Sequence, residues 1–110
     1  MTTETETVQQ AQDPDRFEIT VDGTVAGFTR FVDEGSQRIF FHTKIGEKFG
    51  GRGLGGTLVG EALERTRDAG LRVVPVCEFV ANYVGKHPGF EDITDEVTDE
   101  AVAASKRAGG

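Results

Sequence analysis

The chain has 110 residues and a formal charge of −7 at pH 7, which allows one domain with a single modest core. Residues 1–15 carry Glu4, Glu6, Asp13 and Asp15 with no base, and six acids in residues 91–110 face only Lys106 and Arg107, so residues 16–90 hold nine acids and ten bases. That near-neutral middle excludes a broad nucleic-acid face, no run approaches the roughly 20 apolar residues of a membrane span, and a start without a basic and apolar leader together with Cys77 as the sole cysteine predicts a cytoplasmic protein.

Residues 1–15 are rich in Thr, Glu and Gln with almost nothing apolar, and the composition predicts a disordered acidic lead-in. Structure is expected to begin at Arg16. "RFEITV" and "TVAGFTRFV" are two strand-like runs joined by Asp22-Gly23, a pair suited to a tight hairpin turn. "DEGSQ" is a second turn, and "RIFFHTKI" is a third antiparallel strand, with Ile39, Phe41, Thr43 and Ile45 expected on one face and Phe40, His42 and Lys44 on the other. A glycine-rich loop follows. Leu54, Leu58, Val59, Ala62, Leu63, Thr66 and Ala69 then recur at three- and four-residue steps, the pattern of an amphipathic helix of about four turns ended by Gly70. "LRVVPVC" reads as a strand, "EFVANYVGK" as a short helix and "HPGF" as a turn. The expected domain is 16–93, followed by a helix or tail in 94–110, with a helix starting at Thr98 that carries acids in its first turn and Lys106 and Arg107 near its end.

Six glycines lie between Gly46 and Gly56, directly in front of the long helix. Such a loop exposes unpaired N–H groups at the positive end of the helix dipole and lets a ligand approach without Cβ atoms in the way. Phosphate or pyrophosphate is the natural guest. "GRGLGGT" lacks the lysine of a P-loop. Gly51, Gly53 and Gly56 satisfy G-x-G-x-x-G, with Glu78 placed 22 positions after Gly56, yet a dinucleotide fold needs several βα units around a parallel sheet, and only one strand–helix–strand unit fits here.

"GGRGLGGTL" after an antiparallel strand, followed by helix, strand, short helix and "GF", resembles the GNAT acetyltransferase superfamily. Its signature is Arg or Gln, two residues, Gly, one residue, then Gly or Ala; Gly53 and Gly55 match the small positions, and Gly50 stands where Arg or Gln is usual. Arg52 and Lys48 are the nearby cations. The chain is most similar to the small single-domain GNAT-like proteins, through His42-Thr43 at the end of the strand and "VVPVCEFVANYVGKHPGF" beyond the helix, a resemblance that covers roughly residues 17–93. Lys44 stands where many relatives carry an acid. The resemblance implies a minimal α/β (α+β) fold in which antiparallel strands precede a strand–helix–strand unit whose parallel pair splays apart. It also implies that acetyl-CoA or coenzyme A is held by Thr43, Lys44, Ile45, Lys48, Gly50, Gly51, Arg52, Gly53, Leu54, Gly55, Gly56 and Thr57. Asn82, Tyr83 and Lys86 are expected to contact it from the short helix. Independently, Pro75 cannot donate to a ladder and belongs at an edge or gap.

Acetyl transfer to an amine requires a neutral nucleophile, and deprotonating a lysine-like amine of pKa about 10.4 at neutral pH costs about 4.6 kcal/mol. His42, whose residue type titrates near 6.5, is the candidate base; a solvent-facing strand histidine is the plain alternative. Cys77 is either a nucleophile that carries the acetyl group or a packed thiol. Tyr83 sits six positions before Gly89, against the usual four for the family's tyrosine acid, so packing is the competing role. His87 at a helix end is expected to act structurally. The expected function is an acetyl-CoA-dependent N-acetyltransferase whose acceptor is a small-molecule, peptide or protein amine. The alternatives are a CoA-binding module without transfer and, more remotely, a dinucleotide-binding enzyme.

Overall fold

The computed structural model describes residues 5–109. Five strands form one sheet in the order β1-β2-β3-β4-β5: β1 (Glu6–Ala11), β2 (Arg16–Val21), β3 (Thr24–Glu34), β4 (Gln37–Ile45) and β5 (Arg72–Pro75). The first three pairings are antiparallel and the last, β4 with β5, is parallel. Two helices, α1 (Leu54–Asp68) and α2 (Glu78–Lys86), cover one face, and α3 (Asp99–Arg107) covers part of the other. Among the described residues, no helix is long and apolar enough to cross a membrane.

The turn between β2 and β3 forms where the residue pair predicts it, with φ of 49° at Asp22 and 84° at Gly23. The expected disordered lead-in is corrected: residues 6–11 are a strand, and residues 1–4 lie outside the described residues. The composition around β1 is polar because pairing is made by backbone groups, which any sequence carries. One apolar residue anchors it, since Val8 is buried in the core and the Arg65 guanidinium of α1 donates to its carbonyl at 2.5 Å.

Against the α1 and α2 face lies the main core, in which Phe17, Phe31 and Phe40 meet Leu54, Leu58, Leu63, Val80 and Val84. The Phe17 and Phe31 ring centroids stand 5.2 Å apart, within the range where aromatic edges and faces attract. On the opposite face Ile39 and Val74 pack on Ala101 and Ala104. The C-terminal segment is thus part of the fold: the Thr98 hydroxyl caps α3 by accepting from the Ala101 N–H at 3.1 Å, and Arg30 of β3 donates to the Ala108 carbonyl at 2.7 Å. The turn at "HPGF" tightens into a 3-10 helix, Pro88–Ile93.

The expected alternation along β4 fails at one place. Arg30 pairs with His42 but Phe31 pairs with Phe40, so Phe41 is the extra residue of a β-bulge. A bulge inserts one residue and resets which side the following side chains take. Phe40 therefore faces the main core together with Ile45, while Ile39 faces α3.

Candidate functional site

The site is made where a ladder stops. β4 and β5 pair from Gln37 with Arg72 as far as Phe40 with Pro75. Pro75 has no N–H to offer, and one further bond, from the Cys77 N–H to the Phe40 carbonyl at 2.8 Å, closes the junction. There the chain turns into α2, whereas β4 runs on to Ile45. Residues 41–45 are thus held on one side by β3, and their other edge has no partner in β5.

At the mouth of this opening stands Cys77, half-buried, at the N-cap of α2. Its thiol donates to the Thr43 hydroxyl at 3.4 Å, and Thr43 shares a second hydrogen bond of 2.9 Å with the fully buried Thr29. The bulge makes this possible by turning Thr43 to the same side as Phe40. His42 and Lys44 point the other way. The His42 imidazole lies against Phe28 with centroids 5.6 Å apart, and Lys44 borders a shallow hollow beside Val25 and Phe28. The structure therefore brings Cys77 and Thr43 together and sets His42 and Lys44 on the opposite face of the same strand.

After β4, Glu47–Phe49 form a single 3-10 turn. Phe49 packs against the core, and the Arg52 guanidinium lies 5.6 Å over its ring. Lys48 is exposed on this turn. Gly53 is the N-cap of α1 in the left-handed region, φ 73°, without a side-chain cap and with no acid in the first turn, which leaves first-turn N–H groups available to an outside acceptor. Thr57 folds back, its hydroxyl donating to the Gly53 carbonyl at 3.3 Å. Gly50, by contrast, has φ −65°, a conformation open to any residue, so its missing side chain is not imposed by the backbone.

Two clefts flank this helix start. The smaller, about 240 Å³, is bordered by Ile45, Phe49, Gly51, Leu54 and the Phe79 ring. The larger, about 590 Å³, lies between the start of α1 and α2 and is bordered by Gly56, Thr57, Phe79, Asn82, Tyr83 and Lys86. Gly53, Gly56 and Phe79 border both. A Cβ on Gly55 would stand 2.5 Å from the tip of the Phe79 ring. Ile45, Leu54, Gly50, Gly51 and Gly55 border the smaller cleft together with Phe49; Asn82, Tyr83 and Lys86 border the larger; and Phe79 borders both. Phe79 was legible only as the first member of a four-residue spacing with Tyr83 and His87.

Tyr83 belongs to the larger cleft and not to the opening. Its hydroxyl sits over Gly60, where a Cβ would be 2.5 Å away, and burial, helped by the Glu64 carboxylate, raises the phenol above its ordinary pKa. Packing and cleft-lining are therefore its observed roles.

Compared with known proteins, residues 16–93 match the family model described as GCN5-related N-acetyl-transferase. None of the curated proteins compared with the chain matches it. Among solved structures, the chain is similar to a GCN5-like protein from Staphylococcus aureus determined by NMR, with 19% identity and a TM-score of 0.64 over 84% of this chain and 91% of that one. At that identity the likeness is one of fold, and it includes the mixed sheet and its helices. The sheet has one parallel pair, so the G-x-G-x-x-G match lacks the several βα units of a dinucleotide-binding domain.

Proposed function

Because the chain belongs to the GCN5-related N-acetyltransferase family, we propose that it transfers an acetyl group from acetyl-CoA to an amine, with the thioester seated in the opening between β4 and β5. The observation that carries this reading is the end of the β4–β5 ladder at Phe40 and Pro75, which leaves the edge of residues 41–45 for an extended pantetheine arm. The uncapped start of α1 lies on the same side for the pyrophosphate, with Lys48 and Arg52 as the adjacent cations.

Acetyl-CoA supplies an activated acyl group; the protein's part is to hold it, polarise it and manage protons. In a direct route the neutral amine attacks the thioester carbonyl, the C–S bond breaks, coenzyme A leaves as thiolate, and the amine loses one proton. N–H groups of residues 41–45 are the candidate donors to the developing oxyanion, and His42, on the far face of β4, is the candidate acceptor of the amine proton. In a two-step route the Cys77 thiolate attacks first, coenzyme A thiolate leaves, and the acetyl-Cys77 thioester then passes its acyl group to the amine. Cys77 regains its thiolate, and the amine proton again goes to a base. Cys77, whose thiol lies 3.4 Å from the Thr43 hydroxyl, is the candidate nucleophile of the second route.

A second reading, coenzyme A binding without transfer, is favoured by two observations: Gly50 offers no side-chain donor, and the Tyr83 hydroxyl lies over Gly60, away from a departing thiolate. Thermal unfolding with acetyl-CoA, coenzyme A and NAD tests the donor, since a ligand of the folded state raises the midpoint. Intact mass after incubation with acetyl-CoA tests the chemistry. Stabilisation by the two coenzyme A species together with one added acetyl group, lost in Cys77→Ser, is the expected result. Stabilisation without any acetylated protein or amine product would leave the binding module, and stabilisation by NAD alone would end both.

A further inference from the structure

The far face of the sheet carries a hollow that donor binding leaves unused. α3 packs on that face over Ile39 and Val74, but toward the other end of β4 the face is open, and Val25 keeps 51% of its surface exposed. A hollow of about 270 Å³ lies there, bordered by Val25, Ala26, Gly27, Phe28, Lys44 and Gly46. The side chains around it are apolar except for that of Lys44. Phe28 links the hollow to His42, since the two rings stand 5.6 Å apart, and it sits opposite Lys44 in the β3–β4 register. His42 and Lys44 are two residues apart on one strand, so they share this face about 7 Å from each other.

The charges of this face are unbalanced. Lys44 is exposed and pairs with no carboxylate among the described residues. Arg30, opposite His42, is engaged by the Ala108 carbonyl and the Phe41 ring. The neighbouring acid on β2, Glu18, is already held by Arg16 at 2.8 Å. A chain of net charge −7 thus presents a small positive patch beside the reacting edge of β4.

An imidazole placed to take a proton, a free ammonium and an apolar hollow match a molecule that carries an amine, a carboxylate and an apolar side chain on one carbon. We propose that the acceptor is a free α-amino acid with an apolar side chain, bound on the far face of β4. Its carboxylate meets Lys44, its side chain lies on Phe28 and Val25, and its amine stands beside His42. The neutral amine nitrogen bonds to the thioester carbonyl carbon, the C–S bond breaks with its electron pair leaving on the thiolate, and the amine proton passes to His42. An N-acetyl amino acid is the product. The inference rests on the transfer reading above and supplies its acceptor.

The test measures kcat/KM with acetyl-CoA for L-leucine, L-leucinamide and glycine, the products read by mass spectrometry, in the wild type and in Lys44→Gln, with circular dichroism to check folding and calorimetry to check acetyl-CoA binding. The leucine carboxylate favours the protonated form of its own amine, so an indifferent site would use leucinamide faster. Leucine is expected to exceed leucinamide by about fivefold, the upper range for an exposed ion pair, and to exceed glycine through the hollow. In Lys44→Gln the preference for leucine over leucinamide should vanish. If leucinamide or glycine is used as well as leucine, if Lys44→Gln lowers leucine and leucinamide equally, or if acetyl-CoA binds and none of the three is acetylated, the acceptor site is overturned while the donor reading stands. If acetyl-CoA does not bind the wild type, both fall together.

Discussion

The two halves of β4 are one strand with two different jobs. From Gln37 to Phe40 the strand is paired on both edges, and Arg38, only 6% exposed, grips Asp33 with two bonds of 2.8 and 2.9 Å while its guanidinium lies 4.3 Å over the Phe31 ring. From Phe41 to Ile45 it is paired on one edge, and His42 and Lys44 are exposed. The bulge at Phe41 separates the halves. Backbone that is fully paired and packed opens only with the whole fold, whereas half-paired backbone is drawn from the low-stability end of a structure. A strand can therefore hold the sheet together at one end and offer its edge to a ligand at the other.

The sharpest way to break this contrast is to damage each half in turn. Phe40→Ala removes a ring that is 0% exposed and centred between Phe17 and Phe31, and should cost about 3–5 kcal/mol of unfolding free energy, read by denaturant titration. Beyond the bulge, Thr43→Val keeps the volume but strands the buried Thr29 hydroxyl, so about 1–3 kcal/mol should be lost. Adding Thr29→Val removes the other partner, and the double variant should recover most of that loss, as replacing both members of a buried pair does. A double variant as unstable as the sum of the two single ones would show that the hydroxyl pair is not what holds this half.

The paired half was legible and the bulge was not. Apolar runs and the Asp22-Gly23 turn specify β2, β3 and β4 because burial and turn chemistry act over a few neighbouring residues. The family signature in "GGRGLGGTL" carried the loop and the long helix in the same local way. Phe41 as an extra residue is a property of two strands in register, 31 against 40 and 30 against 42, which no periodicity within one strand encodes. The same limit explains why Ile39 was assigned to the face of Thr43. β1 escaped notice because backbone pairing to the edge of β2, with Val8 as its single anchor, leaves almost no trace in composition. Cys77 beside Thr43 was half-visible: the family resemblance implied the opening and Pro75 agreed with an edge or gap there, but the hydrogen bond joins residues 34 positions apart.

A smaller effect separates stability from binding on the helix that faces the open half. Gly55 lies in the first turn of α1, and alanine there gains about 1 kcal/mol of helix propensity. The new methyl would stand 2.5 Å from the Phe79 ring tip, and because that ring is partly exposed it can swing aside. Gly55→Ala should thus change unfolding free energy by less than about 1 kcal/mol while weakening coenzyme A binding, because the displaced ring borders both clefts. Unchanged affinity in a folded variant would remove Phe79 from the donor groove.

The smallest effect belongs to the far end of the paired half and is read by pH. The Asp95 carboxylate accepts from Gln37 at 2.9 Å and from Arg72 at 2.8 Å, tying the first rungs of β4 and β5 together, and these bonds hold its pKa below the ordinary value, that of Gln37 first. A carboxyl whose folded pKa is depressed contributes stability above its unfolded pKa, near 3.9, and loses it as pH falls through the folded value. Asp95→Asn should therefore be less stable than the wild type at neutral pH by under about 1 kcal/mol, the usual size for a surface pair, and the gap should close below about pH 4. Asp92, held low by the Arg67 guanidinium, titrates in the same window in both proteins, so only the difference between them isolates Asp95. A gap that persisted unchanged into acid would mean that the carboxylate charge does not fasten this end of the sheet, and that the neutral amide contacts and the Asp95 N–H bond to the Val73 carbonyl hold it instead.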